Sequence, residues 1–175
     1  MTAEAPPSAS SFFGLGIAPR ILETLTRLKL TIPTPIQDQA IPAALNGVES
    51  RCRFLRAEAF AELARLSAAG ERFDIVVADP PAFVPSRKDL AVGLRGYRKL
   101  ARLSAALVAP GGFLFIASCS HNVDVPLFAE QVRRGLDDAH RSGRILRTSG
   151  AAADHPVHPH LPESAYLQGQ LIALD

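Results

Sequence analysis

Cys119 lies in Ser118-Cys119-Ser120-His121, directly after the apolar run Phe113-Leu114-Phe115-Ile116-Ala117. A thiol at the end of a buried strand, beside a loop that can supply donors, has the setting of a nucleophile. The same residue also reads as an ordinary small side chain. Asp79 follows a second run, Phe73-Asp74-Ile75-Val76-Val77-Ala78, and precedes Pro80-Pro81-Ala82-Phe83. A carboxylate beside two donor-free residues offers acceptors to an amine or a ring nitrogen; the plainer reading is a rigid turn. Arg87, Lys88, Arg95, Arg98, Lys99 and Arg102 are opposed only by Asp89, and Arg95, Arg98 and Arg102 fall at i, i+3, i+7. One helical face then carries three guanidinium groups, fit to hold phosphates or simply to be solvated. His155, His158 and His160 alternate with Pro156, Pro159 and Pro162, which dictates an extended loop, and no second cluster completes a tetrahedral set. No metal is expected. Gly14-x-Gly16 is no dinucleotide loop, because Pro19 takes the third glycine's place and no strand precedes it.

These residues need a frame. After a tail, residues 1–11, expected to be disordered, Pro19 opens a helix carrying Ile21, Leu25 and Leu28. Pro33 and Pro35 forbid a regular element over Thr31 to Gln37, and a short helix is expected from Asp38 to Leu45, stopped by Asn46-Gly47. Beyond it the pattern turns to alternating strands and helices. A strand is expected at Arg51 to Arg56, and a helix with Phe60, Leu63 and Leu66 ends at Gly70. The Phe73 to Ala78 run reads as a strand covered on both faces in a parallel sheet. A helix with Leu100, Leu103 and Leu107 is closed by Pro110-Gly111-Gly112, and the Phe113 to Ala117 strand follows. The next helix carries Phe128, Val132 and Leu136, with Pro126 near its start and Gly143 past its end. Two strands, Arg144 to Thr148 and Leu167 to Ala173, complete an α/β doubly wound sheet. Ligands of such sheets bind at the carboxyl ends of strands, where Asp79 and Cys119 stand.

Composition bounds the reading further. The chain has 175 residues, 47% hydrophobic and 21% charged, with a net charge of +2. That suits about one domain, excludes a membrane-spanning segment of ~18 apolar residues, and is too balanced to argue for nucleic acid by itself. The first eleven residues carry no cluster of positive charge, so neither a signal peptide nor a mitochondrial presequence is expected. Cys52 and Cys119, the only cysteines, are expected to be reduced, Cys52 as a structural residue, in a cytoplasmic protein.

The segments Asp79-Pro80-Pro81-Ala82-Phe83, Gly93-x-x-Gly96-Tyr97, Ser118-Cys119-Ser120-His121, Asp154 to Pro159 and Leu161 to Tyr166 together resemble the S-adenosylmethionine-dependent 23S rRNA cytosine-carbon-5 methyltransferases, from about Ala43 to Asp175. The resemblance implies a Rossmann-like class I sheet. It makes Cys119 the nucleophile that adds to carbon 6 of cytosine, because carbon 5 attacks a methyl donor only once the ring has become an enamine. Asp79, Pro80 and Pro81 would then meet the base's amine or ring nitrogen, and Phe83 would stack on the flipped base. Methylation of an exocyclic amine is the runner-up chemistry, since acidic or amide residues before Pro-Pro also serve it. Arg95, Arg98 and Arg102 would hold substrate RNA, expected to be ribosomal. Glu58-Ala59-Phe60 stands where the family has Asp-Ala-Phe, facing the adenine of S-adenosylmethionine.

The opening resembles a different family. Phe12, Leu15-Gly16-Ile17, Pro33-Thr34-Pro35-Ile36-Gln37, Ala40-Ile41-Pro42 and Leu45-Asn46-Gly47 match the Q motif of DEAD-box RNA helicases, with Lys29 where that motif has glycine. The expected division is therefore 12–47, a helical Q-motif-like segment, and 48–175, the C-terminal part of a methyltransferase domain that lacks its first two strands. The chain reads as a chimeric joint between two truncated genes. Phe12 and Gln37 would at most contact an adenine nucleotide, because no phosphate-binding loop and no Asp-Glu-Ala-Asp motif are present. Without the glycine-rich loop, binding of S-adenosylmethionine is expected to be impaired, and the sheet edge left by the missing strand invites self-association. The alternative from another class is a non-catalytic RNA- or adenine-nucleotide-binding fragment.

Overall fold

The computed structural model describes residues 11–33, 41, 55, 57–153 and 155–175. It divides into two compact units, Met1–Arg56 and Ala57–Asp175. The expected helix from Asp38 to Leu45, the expected strand from Arg51 to Arg56, Gln37 and Cys52 lie outside the described residues, Ile41 and Leu55 apart.

In the first unit a 3-10 turn, Phe12–Leu15, is capped by the Ser11 hydroxyl and precedes α1, Pro19–Arg27. Proline at its first position is preset for the helix and gives up only an N–H that would have no partner there. The end of α1 is a Schellman turn. Lys29 N donates to Thr26 O at 3.0 Å and Leu30 N to Leu25 O at 2.9 Å. This turn needs a left-handed residue, and Lys29 supplies it at φ 58°. A side chain there costs ~1 kcal/mol that glycine avoids, less what glycine loses in unfolded-chain entropy. Lys29→Gly is expected to stabilise this unit by about 0.5 kcal/mol. A far-UV circular dichroism melt checks it; a lowered midpoint contradicts it.

The second unit holds α2 (Ala59–Ala68), β1 (Phe73–Ala78), α3 (Leu90–Leu107), β2 (Val108–Ser118), α4 (Val125–Asp138), β3 (Gly143–Ser149) and β4 (Gln168–Leu174). The strands form one sheet in the order β1-β2-β4-β3. β1 and β2 are parallel, joined by α3, whereas β4 runs antiparallel to both β2 and β3. A doubly wound parallel sheet was expected; the sheet is mixed, because among the described residues only a 3-10 turn, Pro162–Ser164, and no α-helix crosses between β3 and β4. Pro110-Gly111-Gly112, expected to close the helix, lies within β2 as an irregularity, with Gly111 at φ 75° and the register stepping from Phe73↔Val108 to Ile75↔Phe113. α4 stops before the expected Gly143: His140, at φ 52°, takes the left-handed place in another Schellman turn.

The core lies between one face of the sheet and α3 with α4. Leu114 and Ile116 of β2 and Ile172 and Leu174 of β4 pack with Tyr97 and Leu100 of α3 and Phe128 of α4. Gly135 lets α4 approach α3, for a Cβ there would meet Ala101 Cβ at 2.5 Å and Arg98 O at 2.7 Å. Arg141 then secures the end of α3 by donating to Ala105 O at 3.1 Å and Val108 O at 2.7 Å. A cation at this end of a helix also meets the negative pole of its dipole.

The other sheet face is open at β1. Ile75 and Val77 are 63% and 66% exposed, while Val76 and Ala78 turn inward. A strand covered on both faces was expected, and this is a correction: a β-branched run records strand preference and apolarity, not how many layers cover it. β1 is also an edge, with no neighbour beyond it among the described residues. The opposite edge, β3, carries Arg144 and Arg147 and an irregularity between Ile145 and Arg147, devices that discourage edge pairing. β1 has neither.

Candidate active site

The parallel register of β1 and β2, Ala78↔Ile116, brings both strands out at the same end of the sheet. Asp79-Pro80-Pro81-Ala82-Phe83 and Ser118-Cys119-Ser120 therefore face each other, which neither segment encodes locally. The Cys119 thiol is half-buried and 3.8 Å from Pro80 O. That separation is within reach of a weak S–H hydrogen bond. Asp79 is exposed and makes no hydrogen bond or ion pair among the described residues. Pro80 is half-buried, and Pro81 and Ala82 are exposed.

The two strand ends are tied by hydroxyl groups to which the sequence reading assigned no role. Ser118 Oγ donates to the Tyr97 hydroxyl at 2.8 Å. The Tyr97 hydroxyl lies 2.7 Å from Ser120 Oγ, which accepts from Val84 N at 3.1 Å. Ser120 N donates to Ser118 Oγ at 3.2 Å, and Asn122 Nδ2 donates to Val84 O at 3.1 Å. Tyr97, Ser118 and Ser120 are all at most 1% exposed. The available signal was the pair Gly93 and Gly96 on α3. A Cβ on Gly93 would collide with Val84 Cγ2 and come within 2.5 Å of Phe83 O, so this helix is shaped to receive the 79–86 loop.

Phe83, expected to stack on a base, is half-buried between two rings. Its centroid is 5.9 Å from that of Phe60 and 4.8 Å from that of Tyr97, and Tyr97 meets Phe128 edge-on at 5.3 Å. Lys99 Nζ stands 4.5 Å from the Phe60 centroid. Glu58 caps α2: its two carboxylate oxygens accept from Phe60 N at 3.2 Å and Ala61 N at 2.6 Å. A side-chain acceptor before the first turn satisfies N–H groups that have no partner within the helix. The acidic residue read as facing adenine is thus engaged by its own helix, beside Ala59 and the half-buried Phe60 ring.

The three arginines of α3 separate. Arg98 makes a two-pronged pair with Asp138 of α4, at 2.6 and 2.7 Å. This hydrogen-bonded guanidinium holds the Asp138 carboxyl below the usual carboxylate range. The Arg95 and Arg102 side chains are exposed and make no hydrogen bond or close ion pair with described residues, although Arg102 adds to the electrostatic pull on Asp138. Spacing along one helix cannot register that Asp138, forty residues away, claims the middle member. In the histidine loop, His155 Nε2 lies 2.9 Å from the Tyr166 hydroxyl, and His160 N donates to His158 Nδ1 at 3.2 Å. Phe12 is buried at 6% exposure, whereas Phe13 is 70% exposed and lines a shallow groove with Pro19, Leu22 and Arg27. No helix among the described residues is long and apolar enough to cross a membrane.

A protein solved in complex with SAH and described as a putative methyltransferase superimposes over 87% of this chain and 42% of its own, with a TM-score of 0.55 at 17% identity. A methyltransferase homolog from Pyrococcus horikoshii gives 0.52 over 85% and 50%, at 15% identity. The sheet is part of a methyltransferase fold. Within that partial Rossmann-like methyltransferase fold, the sequence is 38% identical over 131 residues to the ribosomal RNA large subunit methyltransferase I of Aeromonas salmonicida, covering 74% of this chain and 33% of that protein. The enzyme of the same name from Photobacterium profundum is 35% identical over 144 residues, or 81% and 36%. The chain spans about a third of the length of these relatives. No family model matches it.

Proposed function

We propose that this chain is the C-terminal part of an S-adenosylmethionine-dependent methyltransferase acting on carbon 5 of a cytosine in large-subunit ribosomal RNA. The observation that carries the proposal is the meeting of Cys119 and the Asp79-Pro80-Pro81 turn at the joined carboxyl ends of β1 and β2. The names and 35–38% identities of the relatives support the RNA substrate.

In this reading Cys119 Sγ, as thiolate, adds to carbon 6 of the cytosine and pushes an electron pair towards carbon 5 and the ring nitrogen. Asp79, without a partner of its own, accepts from the amine or the protonated ring nitrogen. S-adenosylmethionine, when bound, supplies the methyl group that carbon 5 takes. The carbon 5 proton then passes to water, and the electron pair of that C–H bond restores the ring double bond as Sγ leaves. Phe83, pressed between Phe60 and Tyr97, offers the flipped base only the part of its ring they leave uncovered. At the start of α2 Ala59 and Phe60 would meet the adenine end of the cofactor, Glu58 being held by its own helix, and methyl transfer by this chain alone is proposed to be slow. Digestion of ribosomal RNA incubated with the chain and S-adenosylmethionine tests the assignment. 5-Methylcytidine supports it, methylation of the exocyclic amine overturns it, and no methylated nucleoside removes activity from this chain alone.

For RNA contact the proposal rests on Arg95 and Arg102. Replacing both by alanine is expected to flatten the dependence of log affinity on log salt by about 1.4, roughly 0.7 per lost phosphate contact. A filter-binding salt series reads it, and an unchanged slope removes this face from the interface. Arg98 is unsuited to the test, because its loss also breaks the tie to Asp138.

A further inference from the structure

We propose that Tyr97 is the positioning residue of Cys119, an inference that rests on reading Cys119 as the nucleophile. Cys119 is flanked by the two serines whose side chains meet the Tyr97 hydroxyl, so one phenol fixes the backbone on both sides of the thiol. The protons can be assigned. Ser118 donates to the Tyr97 oxygen, and that oxygen's single hydrogen is then left for Ser120, the other hydroxyl it meets. Ser120 Oγ also accepts from Val84 N, so the chain Ser118, Tyr97, Ser120, Val84 runs from the end of β2 into the loop that follows β1. Pro80 O, to which Cys119 Sγ donates at 3.8 Å, belongs to that same loop. Tyr97 therefore governs where the thiol stands and what it faces.

Packing alone does not require the hydroxyl. The ring is already held by Phe83 at 4.8 Å and Phe128 at 5.3 Å, contacts a phenylalanine would keep. Tyr97 is fully buried and joined to two buried serines. A polar group so placed is costly to leave half-paired and orders its surroundings when fully paired. The deep placement of Tyr97 beneath a loop and a strand end is thus explained by the geometry it imposes on Cys119.

Tyr97→Phe keeps the ring and removes the link. Native-state alkylation by iodoacetamide, followed peptide by peptide so that Cys119 and Cys52 are read separately, is expected to run about fivefold faster at Cys119, the equivalent of one lost hydrogen bond. The Cys52 rate is expected to stay unchanged. Ser120→Ala is expected to give a similar rise, and the double variant no more than either alone, because both break one chain of bonds. A tyrosine that merely stabilised the fold would lower the melting temperature and leave the native-state Cys119 rate where it was. That result, or additive effects in the double variant, overturns the proposal. Failure of the nucleophile assignment shows separately, as methyl transfer that survives loss of Cys119.

Discussion

Cys119→Ala is expected to lower methyl transfer to cytosine carbon 5 by at least about a thousandfold while leaving the protein folded. Carbon 5 does not attack a methyl donor unless a nucleophile has first added to carbon 6, and Cys119 is the thiol at the strand end that the Asp79 turn faces. The residue is half-buried, and among the described residues its thiol makes one polar contact, a weak bond of 3.8 Å. Its truncation therefore costs about 1 kcal/mol of stability. Cys119→Ser is expected to retain a trace, a hydroxyl being a far weaker nucleophile. The measurement is incorporation of labelled methyl into RNA, with the modified nucleoside identified. Full activity in Cys119→Ala would transfer the chemistry to Asp79-Pro80-Pro81 and an exocyclic amine.

Gly93→Val is the substitution expected to damage the fold most. The atoms facing the absent side chain are the carbonyl of Phe83, at 2.5 Å for the oxygen and 2.8 Å for the carbon, and a methyl of the fully buried Val84. Backbone cannot swing aside as a flexible side chain would. Alanine at this position gains ~1 kcal/mol of helix propensity, which offsets part of an overpacking cost of about 1–3 kcal/mol. Valine adds two methyl groups and a poorer helix former, so a loss of about 3 kcal/mol or more is expected. Urea denaturation of the full chain measures it. Gly150→Ala is the matched control in the same unit, because a Cβ there meets only Leu167 O at 3.6 Å, an ordinary contact. An unchanged midpoint for Gly93→Val would show that the 79–86 loop is not held against α3.

The elements of the second unit were legible in the sequence because each leaves a local mark. Phe73 to Ala78 and Phe113 to Ala117 are short apolar runs between breakers, Leu100, Leu103 and Leu107 recur at helical spacing, and Pro126 opens α4. The strand ends that bear Asp79 and Cys119 follow from those runs together with the rule that parallel sheets bind ligands at carboxyl ends. Lys29 stands at φ 58°, a left-handed backbone that hydrophobic periodicity does not mark.

What the sequence did not carry depends on contacts between distant positions. Arg98 pairs with Asp138 across two helices, and Tyr97 joins Ser118 and Ser120 from more than twenty residues away. The exposure of Ile75 and Val77 depends on which layers reach β1, and composition within the strand is the same for a covered or an open face. Glu58 had been read by its match to a motif, and the helix it begins claims its carboxylate first. Periodicity reports the preference of a residue for burial or for a backbone shape. The choice of partner belongs to the tertiary structure, because a hydrogen bond or a packed ring is decided by separation in space, to which separation along the chain is no guide.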